Sequence, residues 1–161
     1  MTVKSLLVVF SYHHGNTNKI AEVFARVLDA QIKNAQQIAP EELLQYGLIG
    51  FGSGIYDETH HESLFDLVDR IPQVAGKNAF IFSTCGAPAI GMNDEYVAKI
   101  HSRLREKLQS KGYTIAGEFG CRGLNTNSFL RLFGGINQGR PNAEDFKRAK
   151  EFAENLKQSV Q

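Results

Sequence analysis

Leu6-Leu7-Val8-Val9-Phe10-Ser11-Tyr12-His13-His14-Gly15-Asn16-Thr17-Asn18-Lys19-Ile20 decides the reading of this chain. Its wholly apolar opening, Leu6 to Phe10, stops at Ser11. From Thr17 a helical pattern begins, with Ile20, Val23, Phe24, Val27 and Leu28 recurring on one face. A continuous apolar run is the pattern of a strand buried on both faces, as in a parallel sheet covered by helices. Asn16 is a suitable N-cap, and a helix starting there directs unpaired N–H groups and partial positive charge over the strand end. Strand, polar loop and helix N-terminus together make an anion site, most often for phosphate. The loop holds no Lys or Arg, so N–H and O–H donors would do the holding. It is neither a Walker loop nor Gly-x-Gly-x-x-Gly, which disfavours nucleoside triphosphates and dinucleotides.

The same alternation runs on through the chain. Ala30 to Lys33 reads as a short edge strand, and Pro40 followed by Glu41 and Glu42 as a helix start. Gly47 to Gly52 is a central strand leading into a glycine-rich turn, Gly52 to Asp57. Thr59 with Glu62 makes a capping box for a helix whose core face is Leu64, Phe65, Leu67, Val68 and Ile71. Ala79 to Ser83 is a further buried strand, followed by a Gly/Pro loop to Gly91. Asn93 or Asp94 opens a helix to about Ser110 with Gly112 as its stop, and Thr114 to Cys121 is the last strand. Arg122 to Pro141 is long for a loop, and the final helix opens at Asn142 with Asp145 completing its cap. Alternating strands and helices predict a single α/β domain over 1–161, a three-layer, doubly wound sheet of five parallel strands in the order 2-1-3-4-5. Ligands of such sheets sit beyond the carboxyl ends of the strands, where the loops Ser11–Thr17, Gly52–Thr59 and Ser83–Gly91 converge.

Composition sets the outer bounds. Apolar and charged fractions of 42% and 22% are those of an ordinary globular domain, and a net charge of +1 calls for neither nucleic acid nor an anionic membrane. No apolar run approaches membrane-spanning length, and the N-terminus lacks the basic-then-apolar pattern of a secretory signal. Two distant cysteines in no C-x-x-C arrangement suit a reducing compartment, so the expected location is the cytoplasm.

Taken together, the three loops resemble those of the flavodoxin family. The resemblance is carried by Gly15-Asn16-Thr17, by Gly52 to Glu58, by Ser83-Thr84-Cys85-Gly86-Ala87, and by a Gly-Gly-Ile-Asn-x-Gly-x-Pro stretch at Gly134 to Pro141. It is closest to flavodoxin-like proteins with Ser-x-His-His-x-Asn-Thr in the first loop. The resemblance implies FMN as cofactor and electron transfer as the task. Ser11, Tyr12, His13, His14, Gly15, Asn16 and Thr17 would receive the phosphate. Ser53, Gly54, Ile55, Tyr56 and Asp57 would flank the flavin ring, with Tyr56 as the stacking aromatic. Thr84, Cys85, Gly86 and Ala87 would meet its pyrimidine edge. No catalytic residue and no metal are expected.

Three departures from the family pattern stand out. His13 and His14 replace hydroxyl residues. Asp57 stands where many relatives have a glycine whose peptide turns over toward the reduced flavin, a geometry that a side chain makes costlier by roughly 1 kcal/mol. The chain also lacks the strong acidity of carrier flavodoxins. The implied function is a carrier between cytoplasmic redox proteins, a reductase and an acceptor, working as a monomer or weak dimer. The alternatives are an FMN-dependent NAD(P)H:quinone-type oxidoreductase, with a nicotinamide nucleotide as partner, and a non-redox binding module on the same fold. His13, His14, His60 and His61 are weighed as a metal cluster and set aside for phosphate contacts and surface imidazoles. Cys85 and Cys121, at neighbouring strand ends, read as buried thiols rather than a redox dithiol. His101 reads as structural.

Overall fold

The computed structural model describes residues 3–11, 15–85, 93–122 (of residue 122, the backbone) and 141–160. In chain order the elements are β1 (Ser5–Phe10), α1 (Asn16–Leu28), β2 (Gln31–Asn34), a 3-10 helix (Pro40–Gln45), β3 (Leu48–Tyr56), β4 (Thr59–His60), α2 (Glu62–Arg70), β5 (Asn78–Cys85), α3 (Asp94–Ser110), β6 (Thr114–Arg122) and α4 (Ala143–Val160). The parallel core runs β2-β1-β3-β5-β6, and the short β4 adds to β3 in antiparallel fashion. The expected five-strand order is therefore present, with one extra strand shifting the numbering of the last two.

Burial on both sides explains the unbroken apolar run of β1. Leu6 and Val8 face one core with Ile49, Phe51 and Ile81, under α2 and α3. Leu7 and Val9 face the other with Phe80, Phe82 and Phe119, under α1 and α4. Phe24 of α1 is the hub of that second layer, its ring meeting those of Phe80, Phe82 and Phe119 edge to face at 5.1–5.6 Å between centroids. Gly50 and Gly52 of β3 are required here, because a Cβ at either would enter the Phe80 or Phe82 ring of the adjacent strand.

Helix starts follow the expected chemistry in two places and depart from it in two. The Asn93 side chain accepts from the Tyr96 N–H at 2.8 Å, and Asn142 and Asp145 cap each other reciprocally at 2.8 and 3.0 Å. In contrast, Asn16 is the first residue of α1 rather than its cap; Gly15 takes that place in a left-handed conformation (φ 63°) and offers no side chain. Thr59 does not cap α2. It pairs with Tyr56 in the β3–β4 hairpin, and His61 caps instead, its Nδ1 accepting from the Ser63 N–H at 3.1 Å. The glycine-rich segment expected as a turn continues as strand to Tyr56, and the chain reverses at Asp57 and Glu58.

Candidate functional site

The parallel strands β1, β3, β5 and β6 all end at one edge of the sheet, and β1 lies where the connections leave in opposite directions, to β2 on one side and β3 on the other. That reversal opens a crevice at the carboxyl ends of β1 and β3. Gly15, Asn16 and Thr17 begin α1 there, and the first helical bond runs from the Lys19 N–H to the Gly15 carbonyl at 3.1 Å. The N–H groups of the first turn ahead of Lys19 thus lack intrahelical acceptors, and Gly15 supplies no side chain to cap them. Such an end attracts negative charge.

Two of the three expected loops meet through hydroxyls. Thr17 Oγ1 and Thr84 Oγ1 lie 2.8 Å apart in the interior, joining the first turn of α1 to the end of β5. One hydroxyl donates to the other, so the acceptor's own proton stays available to a ligand. Ser11 Oγ, just past β1, is buried and has no partner among the described residues. A polar oxygen left so is costly unless a ligand or water satisfies it. This donor set suits a compound with an anionic end.

The second loop turns out to be a hairpin. Asp57 (φ 50°) and Glu58 (φ 63°) form its two-residue tip with both backbones left-handed, the geometry of a type I′ turn. Neither is glycine, and such a conformation costs roughly 1–2 kcal/mol for an ordinary side chain. Asp57 thus holds a positive φ in spite of its side chain. Tyr56 is half-buried at the end of β3, its ring edge on to His61 at 5.3 Å. Ser53 is turned inward, donating to the Gly54 carbonyl at 2.6 Å and accepting the His61 N–H at 3.0 Å. Ile55 pairs with His60 in the hairpin. Tyr12, His13, His14, Gly86 and Ala87 lie outside the described residues, as do residues 123–140 of the long loop.

Beneath the hairpin, on the α2/α3 face, lies a polar cluster that runs from buried Ser83 and His101 to half-buried Glu118 and Arg105. Ser83 Oγ donates to His101 Nε2 at 2.7 Å, and His101 Nδ1–H donates to Glu118 Oε1 at 3.0 Å. Arg105 grips the same carboxylate at 2.8 and 3.0 Å. Burial keeps His101 below its ordinary pKa in spite of Glu118, so at neutral pH the imidazole is uncharged and Arg105 is the carboxylate's ionic partner. Burial alone would raise Glu118, but the hydrogen bonds from His101 and Arg105 outweigh it and bring that carboxyl to about 2. The Ser-His-Glu order matches that of an acyl-transfer triad, but Ser83 and His101 are fully enclosed and no substrate reaches the hydroxyl.

His60 completes this layer, its ring 4.9 Å from that of His101. Its Nε2–H donates to the Phe82 carbonyl at 2.9 Å, and burial together with His101 pushes its pKa down to about 3. The surface reading of His60 is therefore wrong: the β3–β4 pairing folds it inward. His61 lies flat on Phe10, with centroids 3.6 Å apart and planes within 2°. Among the described residues no group of three His, Cys, Asp or Glu side chains could hold a metal. Cys121 lies on the α1/α4 face, paired in register with Thr84, whereas Cys85 is the next residue along β5 and faces α3, 3.9 Å from the Tyr96 hydroxyl. Opposite faces of one sheet keep the two thiols from forming a disulfide.

The family model of the flavodoxin domain matches residues 7–127. The chain belongs to the flavodoxin domain family. An uncharacterized protein of Methanocaldococcus jannaschii is 46% identical over 154 residues, covering 96% of this chain and 98% of that one. Oxidised flavodoxin 2 from Bacillus cereus shares the flavodoxin fold with a TM-score of 0.71 at 19% identity, over 97% of this chain and 99% of its own. An NADH:FMN oxidoreductase in its apo form matches with a TM-score of 0.66 at 18% identity, over 98% and 90%. At such identities the two structures speak for the fold. No helix among the described residues is long and apolar enough to cross a membrane.

Proposed function

We propose that this flavodoxin-family protein binds FMN and carries electrons between cytoplasmic redox partners. The observation that supports it most directly is the Thr17–Thr84 hydroxyl pair, which ties the uncapped α1 N-terminus to the end of β5 in the crevice. In this reading the first-turn N–H groups of α1, the free hydroxyl proton of that pair and Ser11 Oγ hold the phosphate; His13 and His14 belong to the same loop. Tyr56 offers a ring face to the flavin, and the hairpin tip at Asp57 and Glu58 sets what that ring meets at its edge. Gly86 and Ala87, next after Cys85 in the sequence, are the residues this reading assigns to the pyrimidine edge. When bound, FMN supplies the reversible one- or two-electron chemistry. The protein's residues bind and orient it, and none has to act as an acid or base.

A second reading, an FMN-dependent NAD(P)H:quinone-type oxidoreductase, is favoured by the near-neutral net charge of +1 and by the fold shared with an NADH:FMN oxidoreductase. Anaerobic mixing of the FMN-loaded protein with NADH or NADPH separates the two. A carrier keeps its oxidised visible spectrum until a reductase is added; rapid bleaching by the nucleotide alone would establish the oxidoreductase.

A further inference from the structure

A cleft beside Tyr56 lies between the β3–β4 hairpin, α2 and α3. Its volume, about 880 Å³, falls in the range of small-molecule sites, ~300–1,000 Å³. Aromatic rings form part of its wall: Tyr56 edge on to His61, and His61 flat on Phe10. His60 lines it as well, 1% exposed. Because its Nε2 faces a carbonyl, that nitrogen carries the proton, and Nδ1 is left as a bare acceptor with no partner among the described residues. A buried acceptor without a donor is the mark of a missing N–H or O–H.

Charge narrows the choice further. Asp57, Glu62 and Asp66 line the cleft and have no ion-pair partner among the described residues. The two cations of the same cleft are engaged: Lys107 pairs with Asp69, and Arg103 covers the Phe65 ring at 4.6 Å. An anionic molecule would meet surplus carboxylates, so the phosphates of a nicotinamide nucleotide are poorly matched to this wall.

We infer that this cleft is a second ligand site, next to the candidate flavin site, for a small planar aromatic cation that carries N–H donors. The ring packs against Tyr56 and His61, one N–H answers His60 Nδ1, and the positive charge is met by Glu62, Asp66 and Asp57. The inference adds to the FMN reading but does not depend on it, since every group invoked belongs to the chain.

Benzamidinium is a suitable probe, with benzoate as its anionic counterpart and guanidinium as the cation without a ring. Nitrogen-15 NMR of the full chain, with and without FMN, follows the imidazole of His60 and the backbone amides of α2. Saturable binding of benzamidinium that shifts His60 Nδ1 is expected, with benzoate and guanidinium at least about five-fold weaker. The exposed double variant Glu62→Gln/Asp66→Asn should weaken benzamidinium about five- to ten-fold while leaving the protein folded. Equal binding of benzoate, equal binding of guanidinium, an unmoved His60, or a double variant that binds as well as the parent would each overturn the inference. Failure of FMN to bind while benzamidinium still does would count against the flavin reading alone.

Discussion

The two faces of the sheet are built from opposite materials although they share the same strands. Under α1 and α4, Phe24, Phe80, Phe82 and Phe119 form an aromatic layer packed with aliphatic side chains and the Cys121 thiol. Under α2 and α3 the core begins in the same way, with Phe51 and Ile81, but toward the carboxyl edge it turns polar at Ser53, Ser83, His60 and His101. The phenylalanine layer of the first face stabilises by area removed from water, a contribution with no proton in it. The second holds imidazoles that stay neutral because they are buried, so its contribution depends on protons. Packing strength and chemical sensitivity are thus separated by the thickness of a sheet.

The contrast can be broken most forcefully on the aromatic side. Phe24→Ala should cost about 3–5 kcal/mol at any pH between 5 and 8, read from urea unfolding midpoints, because the ring is fully buried against those of Phe80, Phe82, Phe119 and Phe152. A loss below about 1 kcal/mol would mean that the layer collapses around the gap.

The polar side predicts a pH response instead. His60 is lowered from 6.5 to about 3, and the native state therefore binds fewer protons than the unfolded chain between those values. Stability is full above pH 6.5 and falls as pH drops toward 3, with a slope of about 1.4 kcal/mol per pH unit from this group. His101, lowered in the same direction, adds to it, and Glu118 adds a further loss as pH falls from 4.5 toward 2. A His60→Gln variant should lose about one proton's share of that slope; an unchanged slope would show that His60 is not held neutral.

Smaller effects sharpen the picture. Glu118→Gln weakens the bonds from both Arg105 and His101 and should cost about 1–3 kcal/mol in thermal unfolding at pH 7. Thr17→Val should cost only about 1 kcal/mol of stability, yet lower FMN affinity about ten-fold, since it removes a hydroxyl at the proposed phosphate site.

Much of this arrangement was legible in the residues. The apolar run at Leu6 to Phe10 announces a strand buried on both faces, and Asn142 with Asp145 announces a helix start, because each depends on neighbours in sequence. His101 could be read as interior, since it falls on the stripe of Val97, Ile100, Leu104 and Leu108. Its partners could not, because Ser83 and Glu118 reach it from other strands. The inward turn of His60 was hidden for a related reason. It depends on β4 pairing with β3, and the Asp57–Glu58 tip carries none of the Asn-Gly or Asp-Gly chemistry that signals such a hairpin. Asn16 was displaced as a cap by the one residue, Gly15, whose backbone takes φ 63° freely. Thr17 and Thr84 each belong to a loop that the sequence assigns to the site, but their direct contact spans 67 residues and needs the fold.

The central claim is that the uncapped start of α1 and the Thr17–Thr84 pair hold the phosphate of a flavin mononucleotide. Titrating the flavin-free protein with FMN and with riboflavin, followed by quenching of flavin fluorescence, tests it most directly. The account predicts stoichiometric FMN binding at least ~100-fold tighter than riboflavin, from the helix end and charge-assisted hydrogen bonds to the phosphate, with inorganic phosphate competing. Equal affinity for the two flavins, or binding of neither, would contradict it.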